Sequence, residues 1–178
     1  MMTQIKEKDI FATAFKNIFV PSKTLLRKEF THAGFTYGEI FELAAGLRKS
    51  VTRRGTGKLI CLCTENKAVI TASVLASLAG SFTLILPYSF STQALVELYE
   101  AERFDAVITD SPDEAYSMDV IIPTTGNPGE LKPDNLRHPD EPFLKLFTGG
   151  STGKPKVWSK SPRNLLGFKD GTANPTGE

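Results

Sequence analysis

The chain has 178 residues, a net charge of +1, 40% hydrophobic residues and 23% charged residues. This is an ordinary globular composition, with room for one domain, or one and a fragment, around a real core. The near-zero charge excludes a broad nucleic-acid or membrane surface, and no apolar run approaches the roughly 18 residues of a membrane span. Residues 1–9 mix charges of both signs and lack a signal-peptide core, so a cytoplasmic location is expected.

In chain order, Ile10, Phe11, Phe15, Ile18, Phe19 and Val20 predict a short amphipathic helix over 6–20, stopped before Pro21. A short strand is expected near 28–32, broken at Gly34. Thr36-Tyr37-Gly38-Glu39 has the spelling of a capping box, in which Thr36 and Glu39 each satisfy a backbone N–H of the other. The helix behind it carries Ile40, Phe41, Leu43, Ala44 and Leu47 as a stripe. Arg48, Lys49, Arg53 and Arg54 then read as a solvated, basic helix end.

Leu59-Ile60-Cys61-Leu62-Cys63 is a continuous apolar run, expected of a strand covered on both faces. Cys61 and Cys63 fall on one face. Their spacing is too tight for an ordinary disulfide, and no further ligands suggest zinc, so they read as buried core thiols. A helix over 67–79 with Gly80 as its cap, a strand over 82–86, and a helix opened by Ser91 or Thr92 follow. Strands are expected at 106–108 and 119–122. The alternation predicts an α/β fold with a parallel sheet flanked by helices. Residues 123–142 show no periodicity and read as a surface loop. His138 in that loop and His32 have no visible catalytic partners.

A last strand, Phe143-Leu144-Lys145-Leu146-Phe147, runs into Thr148-Gly149-Gly150-Ser151-Thr152-Gly153-Lys154-Pro155-Lys156. Glycines let backbone N–H groups approach an anion, hydroxyls donate, and lysines add positive charge. Such a stretch after a strand suits a phosphate, although its spacing is not that of the common nucleotide-binding loop and Pro155 stands where that loop has its metal-binding hydroxyl. The plain alternative is a glycine-rich surface turn between two strands. The stretch resembles the signature loop of adenylate-forming enzymes, which reads roughly [YF]-T-S-G-[ST]-T-G-x-P-K-G. Phe147, Thr148, Gly150, Ser151, Thr152, Gly153, Pro155 and Lys156 match it, whereas Gly149 replaces the usual serine and Val157 the usual glycine. Phe35-Thr36-Tyr37-Gly38-Glu39, the 59–63 run, the 76–80 helix end and the 104–110 strand are similar to looser motifs of the same family, in the same order.

The resemblance covers residues 1 to about 164. It implies a truncated N-terminal domain of an adenylate-forming enzyme: α/β, a partial parallel sheet flanked by helices. Such enzymes join a carboxylic acid to ATP, release pyrophosphate and pass the acyl group to a thiol. By resemblance, Thr148, Gly149, Gly150, Ser151, Thr152, Gly153 and Lys156 would bind the ATP phosphates, with Lys156 in the catalytic role of offsetting negative charge. ATP and Mg²⁺ are implied as cofactors. The family's adenine and acyl pockets, its Mg²⁺-coordinating glutamate and its mobile C-terminal domain have no counterpart in these residues, and no metal ligand is assigned.

Residues 165–178 depart from that pattern. Gly167-Phe168-Lys169-Asp170-Gly171-Thr172-Ala173-Asn174-Pro175 resembles the GxxDG segment of dye-decolourising haem peroxidases, and equally reads as a turn. Nothing earlier resembles a peroxidase, and no haem is expected. Three readings stay open: a fragment of an acyl-adenylate-forming ligase, a non-catalytic α/β module, and a peroxidase fragment by its tail. An incomplete domain leaves a sheet edge unpaired, so self-association through that edge is a further expectation.

Overall fold

A computed structural model describes residues 2–30, 34–55, 58–80, 82–111, 118–131, 137–148 and 156–167, without the side chains of 2–9 and 58. The chain opens with α1 (Met2–Ile18) and a short α2 (Lys23–Leu26). Phe11, Phe15 and Phe19, spaced four apart, bury their rings on one side of α1 and beyond its end. Phe11 stacks on Phe15 and Phe15 meets Phe19 edge-on, both at 5.6 Å between centroids. Strands β1 (Glu29–Phe30) and β2 (Phe35–Thr36) pair antiparallel, and Gly34 takes a positive φ of 74° before β2.

The capping box forms as spelled. Thr36 caps α3 (Tyr37–Arg53): its hydroxyl accepts from the Glu39 N–H at 3.2 Å, and its own N–H donates to Glu39 Oε2 at 2.6 Å. The Thr36 backbone N–H, and after it the Thr36 hydroxyl, hold the Glu39 carboxyl below its ordinary range.

The main sheet holds β3 (Lys58–Leu62), β4 (Phe82–Leu86), β5 (Ala106–Ile108), β6 (Asp119–Ile121), β7 (Leu144–Thr148) and β8 (Lys156–Lys160). Its order is β6-β5-β3-β4-β7-β8, parallel throughout except for the antiparallel β7–β8 pair. Helix α4 (Lys67–Leu78) joins β3 to β4, and α5 (Thr92–Glu102) joins β4 to β5 across β3. Those two connections run in opposite directions along the sheet, so right-handed crossovers put α4 and α5 on opposite faces.

Strand alternation carries this into packing. Ile60, Leu62, Leu84, Ala106, Ile108 and Leu144 join α1, α3 and α4 in the larger core. The residues between them, Cys61, Cys63, Ile85, Val107 and Phe147, meet Leu98 of α5 and Phe104 in the smaller one. Both cysteines are buried and free, with their sulfurs 3.7 Å apart. The facing Cys63 thiol, and then burial, push the Cys61 thiol up.

Two sequence expectations need correction. The stretch after β6 lies at the surface, its residues 122–130 exposed or half-buried, but it is ordered against the fold rather than an irregular loop. It packs against α3, contains a 3₁₀ helix (Pro128–Leu131) and buries Leu131. Its approach to α3 is backbone on backbone. A Cβ on Gly46 would stand 1.7 Å from the Thr124 carbonyl oxygen, and one on Gly126 would stand 2.6 Å from the Gly46 nitrogen. The Gly126 N–H donates to Glu42 O at 2.8 Å. Nor are the cations of α3 simply solvated. Arg48 donates to Glu130 O at 2.5 Å, Lys49 pairs with the Glu130 carboxylate at 3.3 Å, and Arg54 pairs with Asp119 at 3.2 Å. Glycine opens the helix surface to this segment, which brings Glu130 to Arg48 and Lys49, while β6 brings Asp119 to Arg54.

A strand after the glycine-rich stretch is expected only on the plain reading of a turn between two strands, and β8 is that strand. Behind it comes a short α6 (Pro162–Leu165), whose Arg163 pairs with Asp140 at 2.7 Å and lies over the Phe11 ring. Leu166 still packs against the larger core. Residues 168–178, which include most of the peroxidase-like segment, lie outside the described residues.

Two outcomes are expected. Gly46→Ala drives a methyl into a backbone carbonyl, so it should lower stability by about 1–3 kcal/mol in urea unfolding despite its better helix propensity. Glu39 has its folded-state pKa below its unfolded value, so its contribution is complete above the unfolded value and lost as pH falls through the folded one. The melting-temperature gap between wild type and Glu39→Gln should therefore be open at neutral pH and close in acid.

Candidate functional site

Because β3, β4, β5, β6 and β7 run parallel, their carboxyl ends lie on one side of the sheet. In open α/β sheets that side is where ligands bind, in the crevices where neighbouring strands send their connections in opposite directions. Here β3 and β5 meet these conditions, as do β4 and β7.

Thr148 ends β7 and Lys156 starts β8, and the two are register partners. Both ends of the glycine-rich stretch are thereby held at the carboxyl end of the sheet. Thr148 Oγ1 lies 3.5 Å from the Lys156 carbonyl, at the limit of a hydrogen bond, and both residues are exposed. Gly149, Gly150, Ser151, Thr152 and Gly153, predicted to bind phosphate, lie outside the described residues, as does Lys154.

The root of this stretch is anchored from the α5 side. Phe147, immediately before Thr148, is 5% exposed in the smaller core. Two residues earlier on the same face, Lys145 Nζ meets Glu102 Oε2 of α5 at 2.5 Å, with both side chains largely buried. The amino end of β7 is fixed differently. The Arg137 guanidinium is 8% exposed; it donates to Phe82 O at 2.7 Å and to Pro142 O. Burial holds its pKa below the ordinary value, against the pull of Glu141 at 3.4 Å. Ser77 Oγ, also buried, sits 2.6 Å from Phe143 O and 3.0 Å from Phe82 O. These groups occupy backbone carbonyls where β4 and β7 begin.

Sequence reasoning passed over a second polar group at the carboxyl end. Thr64, after β3, donates to Asp110 Oδ1, after β5, at 2.5 Å, and accepts from the Asn66 N–H at 3.0 Å. Asn66 in turn caps α4. The available signal was position: Thr64 and Asp110 each follow a buried strand directly. His138 is an exposed loop residue whose Nδ1 accepts from the Asp140 N–H at 3.3 Å, and His32 lies outside the described residues.

Among the described residues, no three His, Cys, Asp or Glu side chains converge as metal ligands. No described helix is long and apolar enough to cross a membrane.

No protein-family model matches the chain. Among curated proteins, it is 28% identical over 142 residues to the NRPS-like oxidoreductase fscA of Fusarium equiseti, covering 71% of this chain. It is 29% identical over 139 residues to the malformin synthetase mlfA of Aspergillus brasiliensis, covering 74% of this chain. The match spans only 14% and 3% of those two proteins. Among solved structures, McyG A-PCP complexed with phenylalanyl-adenylate superposes with a TM-score of 0.54 at 18% identity, over 74% of this chain and 24% of that one. The Klebsiella oxytoca NpsA N-terminal subdomain in complex with 3-hydroxybenzoyl-AMSN gives 0.53 at 22%, over 74% and 35%. The chain thus resembles part of an adenylation domain, and its fold is a mostly parallel α/β sheet of that kind.

The Lys145–Glu102 pair should behave as an anchor. Removing either partner leaves a largely buried charge alone, so Lys145→Ala or Glu102→Ala should each cost more than the double variant's excess over one of them. A double-mutant cycle by urea unfolding should give a coupling of about 0.5–3 kcal/mol.

Proposed function

We propose that this chain supplies the phosphate-binding part of an acyl-adenylate-forming ligase. The observation that carries the reading is the register pairing of Thr148 with Lys156 at the carboxyl end of the sheet, bracketing the glycine- and hydroxyl-rich stretch. In such a ligase a carboxylate oxygen attacks the α-phosphorus of ATP, and the bond to the departing pyrophosphate breaks. The residues 148–156 would hold the β- and γ-phosphates. Thr148, Ser151 and Thr152 would donate from their hydroxyls, and the backbone around Gly149, Gly150 and Gly153 would come close enough to donate N–H groups. Lys156 would offset the charge that grows on the leaving pyrophosphate. Mg²⁺, when bound with the nucleotide, neutralises phosphate charge; no step here is assigned through it.

On this reading, residues 1–164 form the partial domain and 165–178 are an unrelated or fused tail, of which Leu166 still packs on the larger core. The carboxylic acid and the adenine are gripped by parts of such ligases with no counterpart in this chain, so the chain alone binds the phosphates without completing adenylation. A cytoplasmic setting fits the two unpaired, buried thiols. Self-association would run along β8, the outer strand, where Val157 and Trp158 are 42% and 55% exposed.

The test compares two lysines by titration calorimetry. Wild type should bind ATP or pyrophosphate more tightly than adenosine. A charge-assisted hydrogen bond is worth roughly 1.5–3 kcal/mol, so Lys156→Ala should weaken binding by about one to two decades. Lys154→Ala should matter less, because the resembled pattern leaves that position open. Equal losses would indicate general charge attraction, and no preference for the phosphate-bearing ligand would leave only a glycine-rich turn.

A further inference from the structure

The function above makes no use of Cys61 and Cys63. Their sulfurs stand 3.7 Å apart on one face of β3 and its extension, and their relative exposures are 0% and 5%. Around them lie Ile85, Leu98, Phe104, Val107 and Phe147, all apolar. Two polarizable sulfurs are thus preset side by side among apolar side chains, and Lys145, two strands away in the same row, is paired with Glu102. Such thiols are poor nucleophiles for redox chemistry. They suit a ligand that takes both sulfurs while leaving no charge behind.

We propose that Cys61 and Cys63 form a dithiol site for a trivalent, thiophilic centre of the arsenite type. Arsenous acid reacts with the pair as As(OH)₃ + 2 RSH → (RS)₂AsOH + 2 H₂O. Two As–O bonds break and two As–S bonds form. Each thiol proton departs with a hydroxide as water, and no atom changes oxidation state. The product carries no net charge, so no ion has to be buried, and its one remaining As–OH needs a hydrogen-bond partner or water. A pyramidal centre takes its two sulfurs at a bent angle, which suits neighbours this close better than the linear geometry of a two-coordinate ion.

Entry requires the cover over the thiols to open. Helix α5 buries only Ala94 and Leu98 fully, and Cys63 lies at the carboxyl end of the sheet. Local opening of such an element needs far less than global unfolding.

Arsenite is titrated into the reduced, folded chain, with bound arsenic read by native mass spectrometry and stability by thermal melting. One arsenic per chain is expected, with both thiols blocked to a thiol reagent, release by dithiothreitol and resistance to the monothiol glutathione. The melting temperature should rise, since a ligand that prefers the folded state stabilises it. Cys61→Ser and Cys63→Ser should each lose affinity by about a hundredfold or more, because the second bond no longer forms within the molecule. Equal retention by either single variant overturns the site. So does an adduct that forms only in urea, or a falling melting temperature in the wild-type chain; both readouts stand even if a serine variant fails to fold. A folded wild type that takes up no arsenic overturns it as well.

Discussion

A parallel strand in the middle of a sheet has to be covered on both faces, and most of this structure follows from how β3 meets that demand. Ile60 and Leu62 turn one way and Cys61 turns the other, and each side needs its own helical layer. Right-handed crossovers supply the layers by sending α4 and α5 to opposite faces. The carboxyl ends carry two separate pairs, Thr64 with Asp110 at β3 and β5 and Thr148 with Lys156 at β7 and β8.

The two layers are unequal. The larger core joins three helices to strands β3 through β7, and the segment after β6 is pressed onto α3 through Gly46 and Gly126. The smaller core rests on α5 alone among the described helices, supplemented by Phe104 and Met118. The glycine-rich stretch is rooted in that thinner layer, through Phe147 and the Lys145–Glu102 pair. Rigid support comes from the other face, and adaptability from this one.

What could be read in the sequence was what repeats. Apolar runs and stripes marked each buried strand and helix of the parallel sheet, and Thr36 and Glu39 announced their own hydrogen bonds. What could not be read was what depends on distant partners. Nothing near Gly46 signals that Thr124 will rest on it, and nothing near Lys49 signals Glu130. Strand β8 was legible only from the turn before it, because Lys-Val-Trp-Ser-Lys lies at the outer edge, exposed on both faces, and so carries no alternation of apolar and polar residues. At the candidate site, spelling singled out the stretch, and of its residues Thr148 and Lys156 are described, as register partners at its two ends. Thr64 and Asp110 are ordinary residues in the sequence and become neighbours only when β3 and β5 pair.

The buried Arg137 gives the chain a sequence in time. Its guanidinium holds the carbonyls of Pro142 and of Phe82, the latter 55 residues away from Arg137 along the chain, just where β7 comes to lie beside β4. Strands β3, β4 and β5 meet through short connections, whereas β7 must wait for a long loop to close, and such closures come late. Until then β4 presents a bare apolar margin, Leu84 to Leu86, to whatever extended chain is nearby. During synthesis or refolding, crowding at that moment would divert this chain into aggregates before β7 could claim its place.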